Sequence, residues 1–155
     1  MSDNLANRGR ARVTALPTAT AYREGGGVWV IETNLLPPTQ NRLDREYWRR
    51  RKERMDSLTI LFRSARAEAE KRLGVTPPTF ECAALKASLI FATNRVRDEA
   101  NIVGGLKQHV DALVRSGWLA ADDMAHLLYM PVGAGVNKDF PHVVLRLAPW
   151  DGKRE

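Results

Sequence analysis

The chain has 155 residues and a mass of 17.4 kDa, a length typical of one globular domain with room for a short extension. Its single cysteine, Cys82, excludes an intrachain disulfide framework and a zinc site built on cysteine pairs. Lysine and arginine number 24 against 18 aspartates and glutamates, a net charge of +6, which favours a polyanionic partner such as nucleic acid or an acidic membrane surface.

Targeting and cofactor signals are missing from the sequence. No apolar run approaches the 18 or more residues that span a bilayer, and residues 1–12 lack the apolar segment of a secretory signal. The glycine-rich phosphate loop of nucleotide-binding proteins is also missing. We therefore expect a cytoplasmic protein with no membrane partner and no nucleotide cofactor.

The chain is predicted to hold one domain with a short segment at each end. Residues 1–26 are basic and have little apolar surface to pack on a core, which is typical of a flexible N-terminal arm. The predicted domain covers residues 27–149, and residues 150–155 form a polar tail.

The first predicted elements are a strand and a long helix. Residues 28–32 are β-branched and aromatic and follow a run of glycines, a pattern typical of a strand. Residues 43–73 form the predicted helix, because apolar residues recur there every three or four positions. Gly74 is its expected end. The predicted buried stripe is Trp48, Met55, Leu58, Phe62, Ala65, Ala69 and Leu73.

A second strand and a second helix follow. Residues 80–91 alternate imperfectly between two faces, which favours a strand and leaves a helix as the alternative. Residues 101–115 are predicted to be helical. Gly104 and Gly105 each cost about 1 kcal/mol inside a helix, so Leu106 is an alternative start.

The last predicted elements are strands at residues 125–130 and 142–147, with a glycine-rich hairpin at residues 133–135 between them. The predicted order is strand, helix, strand, helix, strand, strand. This order favours an α+β fold, in which two main helices pack on one face of a small mixed β-sheet.

Acidic residues flank and occupy the second predicted helix. They are Asp98, Glu99, Asp111, Asp122 and Asp123. Lys107 lies four residues before Asp111, so the two share a helix face. Mg²⁺ prefers carboxylate oxygens together with water and phosphate oxygens, and a nearby lysine can stabilise charge on a phosphate. The spacing is equally compatible with surface acids and helix caps.

These acidic residues and Lys107 belong to an ordered set of motifs. These are residues 37–42 (Pro-Pro-Thr-Gln-Asn-Arg), residues 97–101 (Arg-Asp-Glu-Ala-Asn), Lys107, residues 111–113 (Asp-Ala-Leu) and the pair Asp122 and Asp123. In order and spacing the set resembles the RusA-like Holliday-junction resolvases. The order of predicted elements from residue 28 to residue 147 is also similar to that family.

The resemblance implies a Mg²⁺-dependent, structure-specific endonuclease, with Mn²⁺ as an alternative ion. Such enzymes resolve Holliday junctions or other branched DNA in recombination and repair, act as homodimers and are often encoded by phages or prophages. Carried over by position, Asp98 and Asp123 match metal-binding aspartates, and Lys107 matches the catalytic-site lysine. Glu99, Asp111 or Asp122 would complete the metal site, and Asn101 matches a supporting polar position.

The chain departs from the family pattern at Ala100, which stands where the family has a second metal-binding aspartate. Extra residues, including Gly104 and Gly105, also separate Asn101 from Lys107. Two further interpretations therefore stay open. In the first, the chain is a RusA-like protein that binds DNA without cutting it. In the second, it is a protein-interaction module whose basic helix binds an acidic partner.

A basic run near the start of the first helix adds a candidate DNA surface. The predicted DNA contacts are Arg42, Arg45, Arg49, Arg50, Arg51, Lys52, Arg95 and Arg97. Contacts of such side chains to phosphates are independent of base sequence and weaken with salt. The alternative is a charged helix face that contacts only water.

Overall fold

The computed structural model of the chain describes residues 16–38, 47–95 and 98–154. The predicted DNA contacts Arg42, Arg45 and Arg97 lie outside these residues. Residues 1–15 of the predicted arm and the side chain of Glu99 also lie outside them. Over the described residues the chain is α+β. In chain order, the elements are β1 (Ala19–Arg23), β2 (Trp29–Thr33), α1 (Trp48–Leu73), β3 (Ala83–Phe91), α2 (Glu99–Gly105), α3 (Lys107–Arg115), β4 (Leu127–Tyr129), β5 (Gly133–Val136) and β6 (His142–Pro149).

The described strands form one mixed sheet in the order β1-β2-β6-β3-β4. Strand β4 pairs with residues 83–85 of β3, and β5 pairs with residues 88–91 of the same strand. The β1–β2, β2–β6 and β6–β3 pairs are antiparallel, whereas β4 and β5 run parallel to β3. Strand β3 alternates between buried and half-buried residues. This alternation is typical of a sheet with one face packed on the core and the other in contact with water.

The structure differs from the predictions at two edges of the sheet. Residues 19–23 pair with β2, so the sheet begins inside the segment predicted as a flexible arm. The predicted hairpin at residues 133–135 is instead strand β5, which runs parallel to β3. Both strands lie on sheet edges, where pairing depends on a distant partner strand and leaves a weak local signal.

The long helix α1 confirms most of the predicted periodicity. Its buried residues are Met55, Leu58, Thr59, Phe62, Ala65 and Ala69. Gly74 ends the helix in the left-handed conformation, with φ 67°, as a C-terminal glycine is expected to do. The prediction that Trp48 and Leu73 belong to the buried stripe was wrong, because 59% of Trp48 and 36% of Leu73 are exposed.

The second predicted helix is bent at Leu106 into α2 and α3. It begins at Glu99, earlier than predicted. Gly105 lies at the bend, where the segment from β2 passes so close that a Cβ on Gly105 would lie 1.8 Å from the carbonyl oxygen of Pro38. A glycine is therefore required at this point of close backbone contact.

Helices α1 and α3 run in the same direction and share one core with the sheet. Gln108, near the start of α3, hydrogen-bonds Arg54 and the carbonyl of Arg51, near the start of α1. Further along, Arg63 donates to the carbonyl of Arg115 at the end of α3. The first turns of both helices therefore lie at the same end of the fold. No helix of the described residues is long and apolar enough to cross a membrane.

Candidate functional site

The structure brings together three of the predicted site residues at the start of α3. The Nζ atom of Lys107 lies 2.9 Å from Oδ1 of Asp111 on the same helix. It also lies 2.5 Å from Oδ2 of Asp122, which follows α3 on the way to β4. The Lys107 side chain is 59% exposed and the two carboxylates about one-third exposed. The cluster of Lys107, Asp111 and Asp122 is therefore open to a ligand; we call it the lysine–aspartate cluster.

Electrostatics hold this cluster in its charged form. Hydrogen bonds to Asp122 and Asp111 raise the pKa of Lys107 well above its usual value. The hydrogen bond from Lys107 in turn lowers the pKa of Asp122. Lys107 therefore keeps its proton at neutral pH, so it provides a fixed positive charge and is unsuited to accept a proton.

Tyr129, the last residue of β4, lies beside the cluster. Burial raises the pKa of its phenol, and the charges of Lys107, Asp122 and Asp111 all act on it. Tyr129 is nevertheless 46% exposed. Tyr129 was not predicted as a site residue from the sequence. The available signal was its place in the strand predicted at residues 125–130, which follows Asp122 and Asp123.

Asp123 does not share in the contacts of the lysine–aspartate cluster. Its Oδ1 lies 2.6 Å from Nδ1 of His126 and accepts a hydrogen bond from the backbone N–H of Ala125 at 2.9 Å. The hydrogen bond with His126 lowers the pKa of Asp123 and raises that of His126. Glu81 approaches the other ring nitrogen of His126 at 3.9 Å. Asp123 thus shapes the turn into β4 and orients a half-buried imidazole.

The Asp123–His126 pair was missed in the sequence. The available signal was their separation by three residues in a turn, where an aspartate side chain commonly hydrogen-bonds nearby groups.

Asp98 is the N-cap of α2. Its exposed carboxylate accepts a hydrogen bond from the backbone N–H of Ala100 at 3.1 Å, which satisfies one of the free N–H groups at the helix start. Asn101 follows in the first turn and is half-buried. Within residues 16–38, 47–95 and 98–154, no three His, Cys, Asp or Glu side chains group closely enough to hold one metal ion.

The basic start of α1 lies at the same end of the fold as the cluster, because Gln108 next to Lys107 contacts Arg51 and Arg54. Arg49, Arg50 and Lys52 are exposed, and Arg51 is half-buried. Three of the four predicted phosphate contacts of this run are thus open to a partner.

Arg95 lies elsewhere, at a cavity of about 270 Å³ beyond the end of β3. The cavity is also lined by Phe91, Asn94, Ile102 and residues 134–136. Arg95 is exposed and stands three residues before Asp98.

Comparison with known proteins adds no relative. No protein-family model matches the chain, and no curated protein is similar to it.

Proposed function

We propose that the chain is a Mg²⁺-dependent, structure-specific endonuclease that acts on Holliday junctions or other branched DNA. The observation that carries the proposal is the lysine–aspartate cluster, in which one lysine holds two carboxylates from separate segments at an accessible surface. The resemblance to the RusA-like resolvases gives the proposed substrate. The overall charge of +6 supports a polyanionic partner.

The two carboxylates of the cluster have the ligand chemistry of a magnesium site, and Lys107 Nζ contacts one oxygen of each. Asp111 and Asp122 offer hard carboxylate oxygens, and Mg²⁺ is commonly bound in proteins by one or two carboxylates together with water and substrate phosphate. These two residues would hold the ion, and Asp98 and Asp123 remain predicted ligands from the resemblance. When bound, Mg²⁺ would supply positive charge that polarises the phosphodiester and favours attack by water.

Lys107 has a defined role in this proposal. Its ammonium group stays protonated at neutral pH, since both neighbouring carboxylates raise its pKa. The two carboxylates outweigh its charge, so Lys107 would stabilise the negative charge that develops on the DNA phosphate once a bound metal ion balances them. Such a fixed charge is most effective where the surroundings already orient it, as the two aspartates do here.

The exposed cations at the start of α1 would bind the phosphate backbone. Arg49, Arg50 and Lys52 lie at the same end of the fold as Lys107, so one DNA arm can reach both. Backbone contacts position a substrate without reading its sequence. This property suits an enzyme that selects DNA by its branched shape.

The test is nicking of a synthetic four-way junction in Mg²⁺, with a linear duplex of the same sequence as the competing substrate. We expect symmetric nicks in the junction, loss of nicking in EDTA, and a loss of at least 100-fold in Lys107→Ala and Asp122→Asn. Asp139→Asn removes an exposed acid in the turn before β6 and is the matched control. A wild-type protein that leaves the junction intact in both Mg²⁺ and Mn²⁺ would contradict the proposal.

Comparison of Asp122→Asn with Asp123→Asn separates the two possible ligand sets. Loss of nicking only in Asp122→Asn supports the cluster as the metal site. Loss in Asp123→Asn as well supports the role implied by the resemblance. Nicking that survives Asp122→Asn and disappears in Asp123→Asn would contradict the cluster.

A second candidate function is junction binding without cleavage. Ala100 stands at a position where the family has a metal-binding aspartate, and Asp98 is engaged as a helix cap. Tight junction binding that is independent of Mg²⁺ and gives no nicks would support it. The third interpretation, a module that binds an acidic protein, predicts no binding of the junction even at low salt.

The resemblance also implies a homodimer, which would present two sites to the two strands of a junction. Sedimentation equilibrium tests this directly. We expect twice the chain mass of 17.4 kDa, and a monomer that still makes paired nicks would contradict it.

A further inference from the structure

Two aromatic side chains at the start of α1, one on the N-cap residue Tyr47 and one on the first helical residue Trp48, do not pack on the core. Tyr47 is 63% exposed and Trp48 is 59% exposed. Their ring centroids are 6.0 Å apart, and the ring planes differ by 34°. The first buried residue of the helix is Met55, two turns later. The helix start therefore extends past the core with both rings at the surface; we call Tyr47 and Trp48 the aromatic platform.

Cations accompany the aromatic platform. The guanidinium carbon of Arg49 lies 5.5 Å from the centre of the Trp48 ring. Lys52, four residues after Trp48 on the same helix face, is exposed, as is Arg50. Glu53 is the acidic residue in these two turns. A strongly positive surface that contains two exposed rings has the chemistry of single-stranded nucleic-acid binding sites, in which bases stack on rings and phosphates contact cations.

An apolar protein partner fits this surface poorly. Covering Tyr47 and Trp48 with apolar groups would also remove water from Arg49, whose guanidinium carbon lies 5.5 Å from the centre of the Trp48 ring. Desolvating unpaired cations carries a large free-energy cost. A DNA strand avoids this cost, because its phosphates pair with the cations while its bases cover the rings.

We propose that Tyr47 and Trp48 form a stacking site for the unpaired bases of single-stranded DNA. The contact between Gln108 and the carbonyl of Arg51 places this platform at the same end of the fold as the lysine–aspartate cluster. Branched DNA with a single-stranded arm has unpaired bases next to its branch point. The platform holds such bases while the adjoining duplex arm reaches Lys107, and this part of the inference rests on the proposed function.

The experiment measures binding of a fluorescein-labelled 20-nucleotide oligothymidylate to the full chain by fluorescence anisotropy, over a series of salt concentrations. Stacking of one base on a ring strengthens DNA binding, so Trp48→Ala is expected to raise Kd by between about five-fold and about 150-fold. Trp48→Phe retains a ring and should recover most of the affinity. Phe140→Ala, which removes a 54% exposed ring on the sheet side of the molecule, is the matched control.

The salt dependence identifies stacking. Counterion release depends on the number of phosphates neutralised by cations, so Trp48→Ala should weaken binding and leave the slope of log Kd against log salt unchanged. Arg50→Ala should reduce that slope. A Trp48→Ala protein that binds as tightly as wild type, or that loses no more affinity than Phe140→Ala, overturns the proposal.

A second copy of the chain is the alternative occupant. A wild-type dimer that dissociates in Trp48→Ala would identify the aromatic platform as an interface between copies and would overturn the proposal.

The stacking site and the proposed nuclease function can fail independently of each other. Wild-type protein that nicks junctions while Trp48→Ala binds oligothymidylate normally contradicts only the stacking site. Weak oligothymidylate binding by Trp48→Ala, combined with no nicking by wild type, contradicts only the nuclease.

Discussion

Gln108 and Arg54 join the two helices at the end of the fold that holds the candidate site. The Arg54 guanidinium donates to Oε1 of Gln108 at 2.8 Å, and Nε2 of Gln108 donates to the carbonyl of Arg51 at 3.0 Å. Gln108 is 8% exposed. One buried amide therefore fixes the start of α3, where Lys107 stands, against the basic start of α1.

Gln108→Ala should lower the free energy of unfolding by about 1–3 kcal/mol, because it removes a hydrogen bond to a charged group and one to a buried carbonyl. Urea denaturation followed by circular dichroism measures the change. Ser57→Ala, at an exposed position of α1, is the control and should stay within about 0.5 kcal/mol of wild type. Equal stability of the two variants would show that the amide does not join the helices.

Gly105→Ala should destabilise the fold although alanine is the better helix former. Its Cβ would lie 1.8 Å from the carbonyl oxygen of Pro38. Overpacking of this kind commonly costs about 1–3 kcal/mol or more and outweighs a gain in helix propensity of about 1 kcal/mol. Thermal unfolding gives the comparison. Gly25→Ala, which meets no atom within 4 Å, is the control; a Gly105→Ala protein that melts at or above wild type would refute the close contact.

Stability should fall as pH falls from 6.5 to 4 because of His109. This residue is fully buried, and burial lowers its pKa from 6.5 to about 4. Over this window the unfolded chain binds a proton that the folded chain does not. The free energy of unfolding therefore falls by about 3 kcal/mol in total over this window. Below pH 4 both states are protonated and the contribution stops changing.

His109→Gln isolates this effect, since glutamine can still donate to the carbonyl of Leu35, which His109 Nε2 contacts at 2.7 Å. Unfolding free energies measured at pH 7 and pH 4.5 should differ less in the variant than in wild type. His126 acts in the opposite direction. Its raised pKa gives stability that is present below pH 6.5 and lost as pH rises through the folded value. A His109 imidazole signal that titrates near pH 6.5 by NMR would contradict the prediction.

Lys107→Met should raise the pKa of Asp122, because the hydrogen bond from Lys107 is the main cause of its low value. Carboxyl ¹³C chemical shifts measured against pH give this value directly. Asp123 is an internal control, since His126 lowers its pKa. His126→Ala should produce the reverse result, with Asp123 raised and Asp122 unchanged. Titration of Asp122 at the same pH with and without Lys107 would show that the two side chains do not pair.

Local pattern was enough to predict α1 from Met55 onward, and it favoured a strand over a helix for residues 80–91, of which residues 83–91 form β3. The three- and four-residue apolar spacing from Met55 to Ala69 can bury only as a helix, and Gly74 supplies its C-cap. The same reasoning failed for Trp48, because spacing alone does not show how far the core extends along a helix. Only the packed structure shows that the core begins at Met55.

The sequence by itself determined the α+β class, the net positive charge and the proximity of Lys107 to Asp111, since residues four apart on a helix are neighbours on its surface. Tertiary structure decided that Asp122 joins them while Asp123 turns to His126. Neighbouring residues in a turn point in different directions, and only the packing of α3 against the turn before β4 selects which one faces Lys107. In the same way, the passage of Pro38 over Gly105 depends on two segments distant in the chain, and such contacts leave no periodic signal in either segment.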